Sequence, residues 1–102
     1  MPSKLFEHRL TVSGDAATVK RFADDIDGVS VRGGGKMVAA ITATGAAVVS
    51  WRQPQDAYVL DAIEEVSSFW PTLDFVFGLD SGVGFVDDLA HWKNGELDGN
   101  DL

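Results

Sequence analysis

The sequence predicts a mixed α+β fold: two helices packed on one face of an antiparallel sheet, with an extra hairpin or helix at the C-terminal end. Three observations predict it. Residues 5–13, LFEHRLTVS, alternate strictly, with Phe6, His8, Leu10 and Val12 on one face and Glu7, Arg9 and Thr11 on the other. Two later stretches repeat apolar residues at helical spacing. Strand-like pieces rich in Val, Ile, Phe and Thr separate and follow those helices. The resulting order, β, α, β-hairpin, α, β, is that of the ferredoxin-like arrangement. At 102 residues the chain is expected to form a single domain over 1–102, with an acidic tail fraying from about residue 97.

Each element has its own signal. After the first strand, Ser13 and Asp15 can both cap a helix N-terminus. In AATVKRFADDI, Val19, Phe22, Ala23 and Ile26 form an apolar stripe, and Asp27-Gly28 ends the helix where a left-handed cap is needed. VSVR, KMVAAITAT and AAVVSW then read as strands, the last two joined by a turn at Thr44-Gly45. RQPQDAY breaks the pattern; Pro54 suits the approach to a helix and Asp56 can cap it. Val59, Ala62, Ile63, Val66 and Phe69 or Trp70 give the second stripe, with Asp61, Glu64, Glu65 and Ser68 opposite. Pro71 disfavours helix at Trp70. Leu73, Phe75, Phe77 and Leu79 are in phase for a strand with a buried face. Residues 83–92 are ambiguous. Val86, Leu89 and Ala90 have helical spacing, whereas Asn94-Gly95 is a hairpin signal that makes the segment a strand.

The charge narrows the range of partners. The formal net charge is −8, and it is unevenly divided. Residues 1–52 hold seven basic and five acidic side chains, a net of +2; residues 53–102 hold eleven acidic side chains and one basic, Lys93, a net of −10. Such a half repels phosphate backbones and anionic membranes and attracts basic protein surfaces. Direct nucleic-acid binding and membrane binding are therefore not expected. No apolar run approaches the roughly 18 residues that span a bilayer, and the opening MPSKLFEHRL does not read as a signal peptide. With no cysteine, disulfide and thiol chemistry are excluded, and a cytoplasmic setting is expected.

No stretch reads as catalytic. VRGGGKMV, Val31 to Val38, has the glycines of a phosphate cradle. Such a loop must run G-K-[ST] into a helix, and here Lys36 is followed by Met37 and a strand. The glycines read instead as a positive-φ turn or a bulge, with Arg32 and Lys36 at its base. His8, between Phe6 and Leu10, reads as a hydrogen-bonded core side chain. Asp87 and His91 are four apart and would be neighbours only in a helix, and two ligands do not make a metal site. Ser81 in DSGVG lacks the glycine register of a nucleophile elbow. Trp51, Trp70 and Trp92 sit at element ends, where core-rim packing is the expected role. No catalytic residue, metal or cofactor is predicted.

Three stretches also resemble a known family. They are HRLTVSGDAATVKRF; VSWRQPQDAYVLDAIEEVSSFWPTLDFVF, with its aromatic-Pro-x-Leu-x-Phe exit; and GVGF followed by KNGEL. Together they resemble the YubB-type ferredoxin-like domains encoded on plasmids and phages. The glycine-rich middle, 29–45, lies outside the match, and the break after Trp51 reads Arg-Gln-Pro where the family has a Ser-Pro-Pro type sequence. The resemblance implies a ferredoxin-like fold and a mobile-element setting, with no activity attached. Joined to the charge, it leads to the expectation of a non-catalytic acidic protein that docks on a basic surface of a host protein. One concrete version is an inhibitor of a host defence complex of the CRISPR type. Asp61, Glu64, Glu65, Asp87 and Asp88 are the candidate partner-binding residues. The alternative is a small regulatory or ligand-binding domain, working as a homodimer through the open sheet face near Val38 or Val48, Ala40 and Val76.

Overall fold

The computed structural model describes residues 5–31, 34–54, 58–80 and 84–100. These form β1 (Phe6–Ser13), α1 (Ala16–Ile26), β2 (Val38–Ile41), β3 (Ala47–Gln53), α2 (Tyr58–Phe69), β4 (Asp74–Asp80), β5 (Phe85–Lys93) and β6 (Glu96–Asn100). The six strands make one antiparallel sheet in the order β2-β3-β1-β4-β5-β6. The architecture is thus a mixed α+β domain, an antiparallel sheet with two helices. Among the described residues no helix is long and apolar enough to cross a membrane.

The alternation of β1 sets the two faces. In register, Leu10 lies between Val49 of β3 and Phe77 of β4, and Val12 lies between Ala47 and Phe75. These side chains are buried together with Val19 and Phe22 of α1 and Ile63 of α2, so both helices cover the same face. The Phe22 ring stands edge-on to Phe75 and to Trp70, each at 5.4 Å. Truncating a ring such as Phe75, which is fully buried, costs about 3–5 kcal/mol. The opposite face carries Arg9, whose guanidinium lies 4.1 Å from the centre of the Phe85 ring, and the Lys93–Asp74 pair at 3.6 Å.

Local signals account for the element ends. Asp15 caps α1, its carboxylate accepting the Thr18 N–H at 3.1 Å, and Gly28, with φ of 82°, turns the chain out of it. The aromatic at the end of the second stripe is Trp70, half-buried against Phe22, while Phe69 is exposed. Asp27 has a second task. Its carboxylate accepts the Ala39 N–H at 3.0 Å, and Val29 accepts the Met37 N–H at 2.8 Å, which occupies part of the free edge of β2.

Several expectations need correction. Among its described residues VSVR contributes a single bridge, Ser30 to Lys36, and β2 is only four residues long, since its Ala-rich sequence buries little. β3 does not stop at Trp51. The inward series Ala47, Val49, Trp51 continues to Gln53, which is buried. The ambiguous segment is strand β5. Asn94 and Gly95, with φ of 53° and 76°, form the tight turn that folds β6 back on it, and Ala90 and Trp92 join the core. The acidic end expected to fray from about residue 97 is paired with β5 as far as Asn100. Asp56 and Ser81 lie outside the described residues.

Candidate functional site

α2 presents the acidic face that the sequence predicts. Asp61, Glu64 and Glu65 are exposed, and together with Ser68 and Gly95 they border a shallow depression of about 250 Å³. Spacings of three and four residues place the carboxylates side by side on one flank of the helix. No cation among the described residues pairs with any of them, since Lys93 is held by Asp74. The depression exists because small residues meet there. The Gly95 N–H donates to Ser67 Oγ at 3.1 Å, and a Cβ on Gly95 would stand 2.9 Å from the Ser68 Cβ. Asp87 and Asp88 are not on this helix. They fall in β5, in the irregular stretch between the pairs Phe77–Ala90 and Leu79–Val86, and their side chains lie outside what the structure describes.

The glycine-rich loop folds back on β3. Gly35 donates its N–H to the Arg52 carbonyl at 3.0 Å, and a Cβ on Gly34 would lie 2.0 Å from that same oxygen. The glycine at 34 is therefore required by close approach and not by positive φ, while the hydrogen bond from its N–H to the Val31 carbonyl at 3.0 Å agrees with the turn expectation. The chain continues from Lys36 into β2 rather than into a helix, so the loop does not lead into a helix N-terminus as a phosphate cradle does. Arg32 and Gly33 lie outside the described residues.

His8 is buried on the helix-facing side of β1. It stacks on Trp51 at 5.5 Å and tilts against Phe77 at 5.9 Å. Its Nδ1 lies 2.9 Å from the Phe6 carbonyl, an acceptor, so Nδ1 carries the proton. Burial pushes its pKa below the ordinary histidine value, and the Phe6 carbonyl opposes that shift. Asp87 and His91 both fall in a strand, which separates four-residue neighbours by about 13 Å. No group of three or more candidate metal ligands gathers among the described residues. The Trp92 indole N–H is buried and finds no acceptor among them.

Sequence reasoning missed a groove between the helices. α1 lies over β1, β2 and β3, whereas α2 lies over β5 and β6. The gap between them is about 600 Å³, walled by Ile26, Met37, Val59 and Val66 and floored by Val49 and Trp51. The floor residues are almost fully covered, whereas the wall residues Ile26, Met37, Val59 and Val66 are half-buried. Gln53 lines it as well, its Oε1 accepting the Trp51 indole N–H. The signal that reveals Gln53 is the two-residue period of β3 carried one step past Trp51. Of the open-face residues, Val48 and Val76 are half-buried and Val38 and Ala40 are exposed.

No protein-family model matches this sequence, and no curated protein or solved structure is detectably similar to it.

Proposed function

We propose that this chain is a non-catalytic interaction protein that docks on a basic protein surface through the acidic face of α2. One observation carries the reading: Asp61, Glu64 and Glu65 stand exposed on one helix flank, and among the described residues no cation neutralises them. Clustered like charge mildly destabilises a compact state, so a complementary surface is the natural place for it. Partly desolvated pairs across an interface contribute more than lone surface ion pairs, which are worth about 0–1 kcal/mol each.

The strand order β2-β3-β1-β4, with helices after β1 and β3, supports reading the first 80 residues as a ferredoxin-like core to which the β5–β6 hairpin is added. The YubB-type resemblance then suggests a mobile-element protein whose target is a host complex built to hold nucleic acid. A channel lined with cations for phosphates would accept these carboxylates in their place. An inhibitor of a CRISPR-type defence complex is one such case.

The test reverses the face. Changing Asp61, Glu64 and Glu65 together to lysine moves the net charge from −8 to −2 and leaves the core untouched. Immobilised wild type should retain its partner from a host lysate at about 0.05 M salt and release it at about 0.5 M. The triple variant should retain none of it while unfolding at the same or a slightly higher temperature. Equal capture by the two proteins would reduce α2 to a solvated surface.

A further inference from the structure

We infer that the groove between α1 and α2 is a binding site for a small, neutral, mainly apolar molecule that carries one hydrogen-bond-accepting carbonyl. At about 600 Å³ the groove falls within the roughly 300–1,000 Å³ typical of small-molecule sites. Its walls are aliphatic, with Ile26 and Met37 on one side and Val59 and Val66 on the other. Among the described residues no charged side chain lines it. A carboxylate or ammonium would therefore be desolvated there without a counter-charge, which selects a neutral ligand.

Gln53 supplies the buried polar determinant; Ser30, the other polar residue of the lining, is exposed. It is only 8% exposed, yet it borders the groove. The Trp51 indole N–H can only donate, so the partner atom on Gln53 must be its oxygen, and this fixes the orientation of the amide. The amide N–H₂ then points away from the indole. Among the described residues nothing accepts a hydrogen bond from it. A donor held in place by a buried indole, with apolar walls around it, is complementary to one carbonyl oxygen on a ligand whose remaining surface is apolar.

The site is independent of the acidic face. Ala62, Ile63 and Val66 look into the groove from one side of α2, whereas Asp61, Glu64 and Glu65 lie on the other. On that other side the Ser67–Gly95 hydrogen bond ties α2 to the β5–β6 turn.

Butyrophenone and n-butylbenzene, which differ only by a carbonyl oxygen in place of two hydrogens, serve as probes. Each is titrated into the ¹⁵N-labelled full chain and followed by NMR. Both should give saturable shifts centred on Ile26, Met37, the Trp51 indole and Val66. Butyrophenone should bind more tightly by roughly two- to tenfold, the range of one neutral hydrogen bond. Gln53→Glu keeps an acceptor for Trp51 but removes the donor, so it should erase or reverse that preference. Ala62→Trp, an exposed position on the groove wall, should abolish binding of both probes without disturbing the core. The inference is overturned if neither probe saturates, if the wild type binds the two equally, if Gln53→Glu keeps the preference, or if Ala62→Trp binds as wild type does.

Discussion

Ser67 of α2 and Gly95 of the β5–β6 turn are joined by a hydrogen bond of 3.1 Å, from the glycine N–H to the serine hydroxyl. Ser67 is fully buried and donates its own O–H to the Glu64 carbonyl at 2.8 Å. One side chain thus links a helix to a hairpin that is distant in sequence. It lies on α2 between the acidic face on one flank and the groove on the other.

Ser67→Ala should therefore destabilise the domain by about 1–3 kcal/mol, the cost of leaving a covered N–H without its partner. Gly95→Ala should also be costly. Its φ of 76° disfavours a side chain, and the new Cβ would crowd Ser68. Urea unfolding measures both, and amide exchange at Gly95 should quicken in Ser67→Ala. Unchanged exchange there would mean that the bond does not hold the turn.

Much of this arrangement was legible in the sequence, and the limits have physical causes. The α1 stripe and the β1 alternation set their buried faces unaided, because each repeats its period several times. The spacing of Asp61, Glu64 and Glu65 gives the exposed side of α2, but its inner side includes Ser67, a small polar residue that no hydrophobic pattern marks. It is buried because the Asn94–Gly95 turn needs a short neighbour that accepts a hydrogen bond, and that turn is far along the chain. The β5 segment was ambiguous because Val86, Leu89 and Ala90 satisfy a helical period by coincidence; only the pairing of Phe75 with Trp92 and Phe77 with Ala90 decides it. The groove was invisible for a related reason. It depends on where α1 and α2 sit over the sheet relative to each other, which no local pattern encodes.

The glycine-rich loop gives a paired test. A Cβ at Gly34 would overlap the Arg52 carbonyl at 2.0 Å, whereas one at Gly35 meets nothing within 4 Å. Gly34→Ala must push the loop off β3 and should lower stability by about 1–3 kcal/mol, the range of overpacking. Gly35→Ala should be close to neutral, as should Lys36→Ala, whose side chain is exposed. Thermal unfolding of the three variants side by side separates them. Three equal midpoints would contradict the close approach at Gly34.

His8 should make stability depend on pH. Its folded pKa lies below the ordinary value of about 6.5, so between the two values the unfolded chain binds the proton more readily. Its contribution is therefore complete above about pH 6.5 and is lost as the pH falls through the lowered folded pKa, where the buried ring must accept a charge beside Trp51 and Phe77. His8→Phe preserves a ring of similar size for stacking but cannot titrate. Unfolding free energies taken at intervals from pH 7.5 down to pH 5 should fall more steeply for the wild type than for His8→Phe. The two curves should run parallel above about pH 6.5 and diverge below it. Parallel curves over the whole range would show that the imidazole reaches solvent without cost, in conflict with its burial under the helices.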